Sequence, residues 1–252
     1  MIGRRRPLGM VAAALAIGAV VAGCGGGSAD LRVSAAASLQ RAFSAYGESF
    51  RAARATFSFA GSDELAAQIR QGAKPDVFAS ANTELPDALY RAGRLERPVP
   101  FAANRLVLAA AAGGRVRTLS GAERPGTAIA VGAPSVPVGA YTATVLARLG
   151  PRPARAILAN VRSREPDVAG IVAKLTQGAV DAGFVYATDV RAAGGRLRAI
   201  ELPAQAQPRV VYAAAVVRGA RHTAAARAFV RGLTAGVGRR ALLAAGFDPP
   251  PR

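Results

Sequence analysis

An α/β fold is what the sequence predicts, on three observations. From Leu31 onward, short apolar runs of strand length alternate with stretches whose apolar residues recur at helical spacing. The turns between them are rich in small residues and lead into Ser, Asp or Pro, the residue types that open helices. No 20–50-residue repeat is visible, which argues against a solenoid or propeller. Of the 252 residues 51% are hydrophobic, enough to fill the core of one or two domains.

In order along the chain, residues 31–36 read as a buried strand. Leu39, Phe43, Tyr46 and Phe50 then mark one face of a helix opening at Ser38. Residues 56–59 form a second strand, which breaks at Ala60-Gly61. A helix over 62–71 follows, with Ser62 expected as its cap and Asp63 and Glu64 at the positive end of its dipole. A strand over 76–79 and a helix over 84–92, stopped at Gly93, come next, then a strand over 105–111. The theme repeats with a strand at 128–131, a small-residue turn at 132–139 and a helix over 140–149. Residues 157–159 read as a short strand. Pro166-Asp167 opens a helix carrying Val168, Ile171, Val172 and Leu175. A strand over 182–186 ends in Tyr186-Ala187-Thr188-Asp189. After a proline-rich connection at 203–208, a strand over 210–217 and two amphipathic helices close the chain near Gly246-Phe247. In open α/β sheets ligands bind at the carboxyl ends of strands, where such turns gather. Several helix N-termini meeting there would make a donor-rich anion site.

Residues 1–23 read as a leader. Arg4, Arg5 and Arg6 form a cationic start, and residues 8–21 an apolar run too short to span a bilayer comfortably. Small residues precede Cys24, the only cysteine of the chain, and Gly25-Gly26-Gly27-Ser28 follow it. This is similar to a bacterial lipoprotein signal, which implies lipidation of Cys24, a flexible tether over 24–30 and an exported, membrane-tethered protein. A lone cysteine also excludes an internal disulfide.

The formal charge is +18, three units of it in the leader arginines. The remaining arginines are scattered, there is no Trp to interleave with them, and Lys74 and Lys174 are the only lysines. The charge therefore reads as a solvated surface able to steer small anions, not as a nucleic-acid site. Enzyme signatures are missing too. His222 is the one histidine, placed in a polar helix start and expected at the surface; Asp76, in an apolar strand, reads as structural. No Gly-x-Ser-x-Gly elbow, P-loop or metal-ligand spacing occurs.

Six stretches in order carry a resemblance: residues 35–39 (AAASL), 57–62 (FSFAGS), 68–82 (QIRQGAKPDVFASAN), 104–108 (NRLVL), 135–141 (SVPVGAY) and 181–189 (DAGFVYATD). Together they resemble the molybdate-binding proteins of ABC importers, over residues 31–247. The resemblance implies a two-lobed type II periplasmic-binding-protein fold with two crossover strands, at 105–111 and 210–217, and an inter-lobe cleft. Lobe one would comprise 30–108 with 209–252, and lobe two 109–208. It implies a monomer with no cofactor, working outside the cytoplasmic membrane with an ABC permease and ATPase complex, and no nucleic-acid partner.

Carried over position by position, the resemblance assigns the ligand to the hydroxyls of Ser38, Ser62 and Tyr186 and the backbone N–H groups of Val138 and Val168. Val161 is a competing alignment for the last of these. Molybdate is a deprotonated tetrahedral dianion, so its oxygens only accept hydrogen bonds, and a cleft of donors suits it. Tungstate is nearly isosteric. Hydrogen phosphate brings a proton that wants an acceptor, while sulfate differs chiefly in size. Sulfate or phosphate is the alternative ligand, and an exported enzyme a more distant one. The family implies no Arg or Lys in contact with the anion, which leaves Arg70, Arg105, Arg162 and Arg164 for outer or steering roles. Asp63 and Glu64 are expected to project away from the cleft.

Overall fold

The computed structural model describes residues 30–251 together with Met1 and Ile2. The leader arginines, Cys24 and the glycine tether lie outside the described residues. The chain begins with β1 (Asp30–Ala36), a 3-10 turn (Ala37–Leu39) and α1 (Gln40–Ser49), then β2 (Arg54–Ala60), α2 (Ser62–Arg70), β3 (Val77–Ser80), α3 (Glu84–Arg91) and β4 (Val99–Asn104). It continues with β5 (Leu106–Ala111), α4 (Leu119–Glu123), β6 (Ile129–Gly132), α5 (Pro137–Leu149), α6 (Pro151–Ala159) and β7 (Val161–Glu165). There follow α7 (Val168–Thr176), β8 (Ala182–Tyr186), α8 (Ala187–Ala192), β9 (Leu197–Glu201), β10 (Val210–Val216), α9 (Thr223–Thr234) and α10 (Gly236–Ala245).

Two five-stranded mixed sheets result, in the orders β2-β1-β3-β10-β4 and β7-β6-β8-β5-β9. In each, three neighbouring strands run parallel and a strand from elsewhere in the chain pairs antiparallel beside them: β10, later in the chain, beside β3, and β5, earlier in the chain, beside β8. The chain leaves the first sheet at Asn104, enters the second at Leu106, and returns between β9 and β10. The two passages are tied together where the Gln207 side-chain amide donates to the Leu106 carbonyl at 2.8 Å. Neither 105–111 nor 210–217 is thus a strand shared between the sheets: β10 pairs wholly within the first, with β3 and β4. Arg105 is the change-over residue, and β5 pairs wholly within the second sheet.

Other differences from the sequence reading have local causes. Residues 157–159 are the last turn of α6, not a strand: Gly150 at φ 93° and Pro151 at the first helical position start a helix that carries through them and buries Ile157. The strand that follows, β7, is V-R-S-R-E with alternate residues exposed, so its polar edge character hid it. Four further short elements, β4, α4, α8 and β9, also carry too little apolar pattern to be read from sequence.

Packing of the first lobe centres on aromatic rings. Phe43 lies 5.5 Å from Phe229 edge-on, 6.0 Å from Phe101 and 6.2 Å from Phe57. Phe43 supplies the inward face of α1 that its spacing announced. Asp76, just before β3, is fully buried. Its carboxylate accepts from Arg32 N–H (2.8 Å) and from His222 N–H (3.0 Å), with the His222 ring nitrogen at 3.4 Å. His222 is therefore a partner of a buried acid, not the free surface residue its polar surroundings suggested. No helix among the described residues is long and apolar enough to cross a membrane.

What this topology does for function is to line up strand ends. Parallel register pairs Ala36 with Ala60, so β1 and β2 end level and release Ser38 and Ser62 side by side. In the second sheet β6, β7 and β8 end in the turns that lead to α5, α7 and α8.

Candidate functional site

The turns from the two sheets face each other across one small cavity of about 20 Å³, room for about one water molecule. Its wall contains Ser38, Ser62, Val138, Val168 and Tyr186, the five residues singled out from sequence. Val161 is not in the wall; it begins β7.

Each element delivers its donor for a local reason. α5 begins at Pro137, which has no N–H, so Val138 carries the first amide hydrogen of that helix. α7 begins at Val168, and Asp167 caps it by accepting from Gly170 N–H at 2.9 Å. The leading N–H groups of a helix have no partner inside it and carry its positive dipole end. Both amides therefore present donors to whatever fills the cavity.

Ser62 corrects one expectation. It is the first residue of α2, Gly61 occupies the cap position, and no side chain caps this helix. The Ser62 hydroxyl oxygen instead accepts from Ala81 N–H at 3.1 Å, and the residue is 2% exposed. Only glycine fits at position 61, because a Cβ there would stand 2.5 Å from the Pro166 carbonyl on the opposite side of the cavity. The two lobes touch at this point. Asp63 is absent from the cavity wall, yet it does not reach clear solvent: its Oδ1 is buried without a hydrogen-bond partner and would lie 2.9 Å from a Cβ at Gly61.

Three tyrosines form a chain behind the cavity. The Tyr186 ring lies edge-on to Tyr141 at 6.5 Å and to Tyr212 at 5.8 Å. The Tyr212 hydroxyl is 2.9 Å from Ser38 Oγ. Tyr141 reaches across from α5 to donate to the Ala81 carbonyl at 3.4 Å. The Tyr186 hydroxyl is buried and makes no hydrogen bond. Burial first, then the neighbouring Tyr212, Tyr141 and Asp189, push its pKa well above the ordinary phenol value, so it stays a donor.

Charge is nearly absent from the wall. Asp167 is its one ionisable carboxyl side chain, and no Arg or Lys contributes. Of the four arginines considered from sequence, none lines the cavity; Arg105 pairs with Glu201 at 2.8 Å on the surface. A larger adjoining cavity of about 520 Å³ shares Ser38 and Val168 and brings in Arg41 and Arg196, which sequence reasoning missed. Asp189 also borders it. Burial, with Asp167 adding to the effect and the Tyr186 N–H opposing it, pushes Asp189 up to about 7. Among the described residues, no group of three or more His, Cys, Asp or Glu side chains is placed to hold a metal ion.

Residues 31–248 match the family described as bacterial extracellular solute-binding protein. A curated relative, the molybdate-binding protein ModA of Mycobacterium tuberculosis, is 38% identical over 259 aligned positions, covering 96% of this chain and 97% of the relative. The periplasmic molybdate-binding protein of Azotobacter vinelandii superposes with a TM-score of 0.79 at 22% identity, covering 88% of this chain and all of that one. The sulfate-binding protein SubI of M. tuberculosis superposes with a TM-score of 0.74 at 20% identity, over 87% of this chain and 86% of that one. At such identities these two structures establish the fold alone.

Proposed function

The chain belongs to the molybdate-binding protein ModA family of bacterial extracellular solute-binding proteins, and we propose that it captures molybdate in the cleft between its lobes and delivers it to an ABC importer. It is a binding protein, not an enzyme. The observation that carries the ligand assignment is the Tyr186 hydroxyl. It is buried, has no partner, and lies in the wall of the cavity that Ser38, Ser62, Val138 and Val168 also line. A buried hydroxyl without a hydrogen bond costs about 1–3 kcal/mol, and an oxyanion in the cavity would relieve that cost.

The proposed shell has three hydroxyls and two backbone amides. Helix dipoles from α2, α5 and α7 offset the buried negative charge, so no arginine is needed in contact. Tungstate, with the same charge and nearly the same size, is a second ligand. Capture proceeds by closure of lobe one (30–104 with 210–252) on lobe two (106–209), hinged at Arg105 and at the return passage near Gln207. Contact between Gly61 and Pro166 supports the closed arrangement. The protein is held at the outer face of the cytoplasmic membrane through lipid on Cys24.

The test is a calorimetric and thermal-shift panel of molybdate, tungstate, sulfate and phosphate on the mature chain. Molybdate and tungstate are expected to bind tightest. Absence of stabilisation by both would overturn the assignment, and a preference for sulfate would move the protein to the other tetrahedral dianion. Substitution of Cys24 by Ala should release the protein from membranes; retention would refute the lipid anchor.

A further inference from the structure

A hydroxyl both donates and accepts, so a serine beside an anion discriminates only if its hydrogen is directed. Ser62 is directed by the backbone: Ala81 N–H donates to its oxygen, an amide N–H cannot accept in return, and the single Ser62 hydrogen is left for the cavity. Ser38 has no such backbone partner among its hydrogen bonds. Its oxygen lies 2.9 Å from the Tyr212 hydroxyl, a contact in which either group can donate.

We propose that Tyr212 is a specificity-determining positioning residue, donating its hydrogen to Ser38 Oγ and thereby turning the Ser38 hydrogen into the cavity. A phenol is more acidic than an alcohol, hence the better donor and the poorer acceptor of the pair. Burial supports the same direction. Tyr212 has no exposed surface, and its ring is walled by Phe101, Tyr186 and Phe247. Tyr186 and Asn104 also neighbour the Tyr212 hydroxyl, but Ser38 Oγ, at 2.9 Å, is the group that meets it at full hydrogen-bond geometry. Were Ser38 the donor, the fully buried Tyr212 hydrogen would be left to the poorer geometry of Tyr186 or Asn104; with Tyr212 as donor, the free hydrogen belongs to half-buried Ser38 in the cavity wall. The phenol also keeps its proton, since burial first and then the Asp189 charge raise its pKa well above the ordinary value.

Donation by Tyr212, by Ala81 N–H and by nothing at Tyr186 then presents the ligand with three hydroxyl hydrogens. At these three positions an oxyanion that carries its own proton meets donor against donor; the one carboxylate of the wall, Asp167, has its Oδ1 already engaged by Gly170 N–H. Tyr212 touches no ligand in this scheme; it acts through Ser38.

This inference rests on the anion-site reading above, and its test separates the two. Sulfate and hydrogen phosphate have similar size and charge and differ by one proton, so their affinity ratio isolates donor polarity from cavity shape. The ratio is measured by calorimetry for the wild type and for Tyr212→Phe, with molybdate as the reference ligand. The expected result is a sulfate-over-phosphate preference reduced about tenfold in Tyr212→Phe, the effect of one directed hydrogen bond. In a Ser38→Ala background, Tyr212→Phe should leave the ratio unaltered. A ratio unchanged by Tyr212→Phe alone, with all anions weakened alike, would assign Tyr212 a packing role and overturn the proposal. Wild-type protein that binds no tetrahedral anion would instead sink the anion-site reading. Should Tyr212→Phe fail to fold, 3-fluorotyrosine installed at 212 gives the same answer. As a stronger donor of nearly the same shape it raises the ratio if Tyr212 donates, and an unchanged or lowered ratio refutes donation.

Discussion

Replacing Tyr186 by Phe removes one oxygen from the cavity wall, and it should act with opposite signs on the empty and the loaded protein. In the structure that hydroxyl is buried, the residue being 1% exposed, and it has no hydrogen-bond partner. A hydrogen bond from a neutral donor to a charged acceptor contributes about 1.5–3 kcal/mol. At 1.4 kcal/mol per decade, its loss weakens anion binding roughly 10- to 100-fold. The empty protein loses no contact, because none is made. Deleting a buried unpaired group relieves up to about 1–3 kcal/mol. For a chain of this size each kcal/mol moves the melting temperature by about 2–4 °C, so the ligand-free variant should melt at or a few degrees above the wild type. Scanning fluorimetry reads the empty protein, and titration calorimetry with molybdate reads the loaded one. A ligand-free variant that melts several degrees lower while its affinity is unchanged would show that the hydroxyl is structural, and the site assignment would fall with it.

Three other substitutions probe the same framework. Gly61→Ala places a methyl group 2.5 Å from the Pro166 carbonyl across the cleft. The same methyl would stand 2.9 Å from Asp63 Oδ1 on its own side, a side chain that can turn away, so the main overpacking cost of about 1–3 kcal/mol falls on closure. Affinity should drop roughly 5- to 150-fold with a smaller loss of ligand-free stability; a ligand-free loss as large as the binding loss would deny that the contact belongs to closure. Asp76→Ala should destabilise the protein by roughly 3 kcal/mol in chemical denaturation at neutral pH. Burial raises the Asp76 pKa, but the Arg32 and His222 hydrogen bonds outweigh it and hold the group below its usual value. Its contribution is therefore present above the ordinary carboxylate range and disappears as pH falls through the lowered value, so the gap between wild type and variant should close in acid. Asp189 has the reverse sign: its pKa is pushed up to about 7 by burial. The folded chain binds the proton more tightly than the unfolded one, so stability falls as pH rises from about 4 to 7. Asp189→Asn should thus gain on the wild type by about 2–3 kcal/mol between pH 5 and 8. A pH-independent difference would mean that Asp189 is ionised throughout.

Much of the fold was legible because its signals are local. The helical spacing of Leu39, Phe43 and Tyr46 and the apolar runs that became β1, β3, β8 and β10 depend on residues a few positions apart. The five residues that share the cavity wall were nameable from sequence because the turn motifs that carry the family resemblance are contiguous. What escaped was weakly patterned or ambiguous. β4, β7 and β9 are short or polar edge strands, and Ile157-Leu158-Ala159 reads equally as strand or helix until Gly150 and Pro151 are seen to start α6. Ser62 looked like a cap from its neighbours, yet the helix begins at Ser62 itself with Gly61 in the cap position, and the Ser62 hydroxyl is taken by Ala81 N–H from a neighbouring strand end.

Taken alone, the amino-acid sequence determined the α/β alternation and the positions of the turns, which follow from short-range periodicity and helix-start chemistry; which groups on those turns are the donors came only from the resemblance of the turn motifs to a family. Only the tertiary structure decided which groups those donors meet. Ser38 and Tyr212 are 174 positions apart, Ser62 takes its hydrogen bond from a neighbouring strand end, and Asp76 finds His222 146 positions on. Hydrogen-bond polarity and burial are properties of neighbours in space. No local pattern encodes whether a hydroxyl is left free to donate until packing has placed its partner.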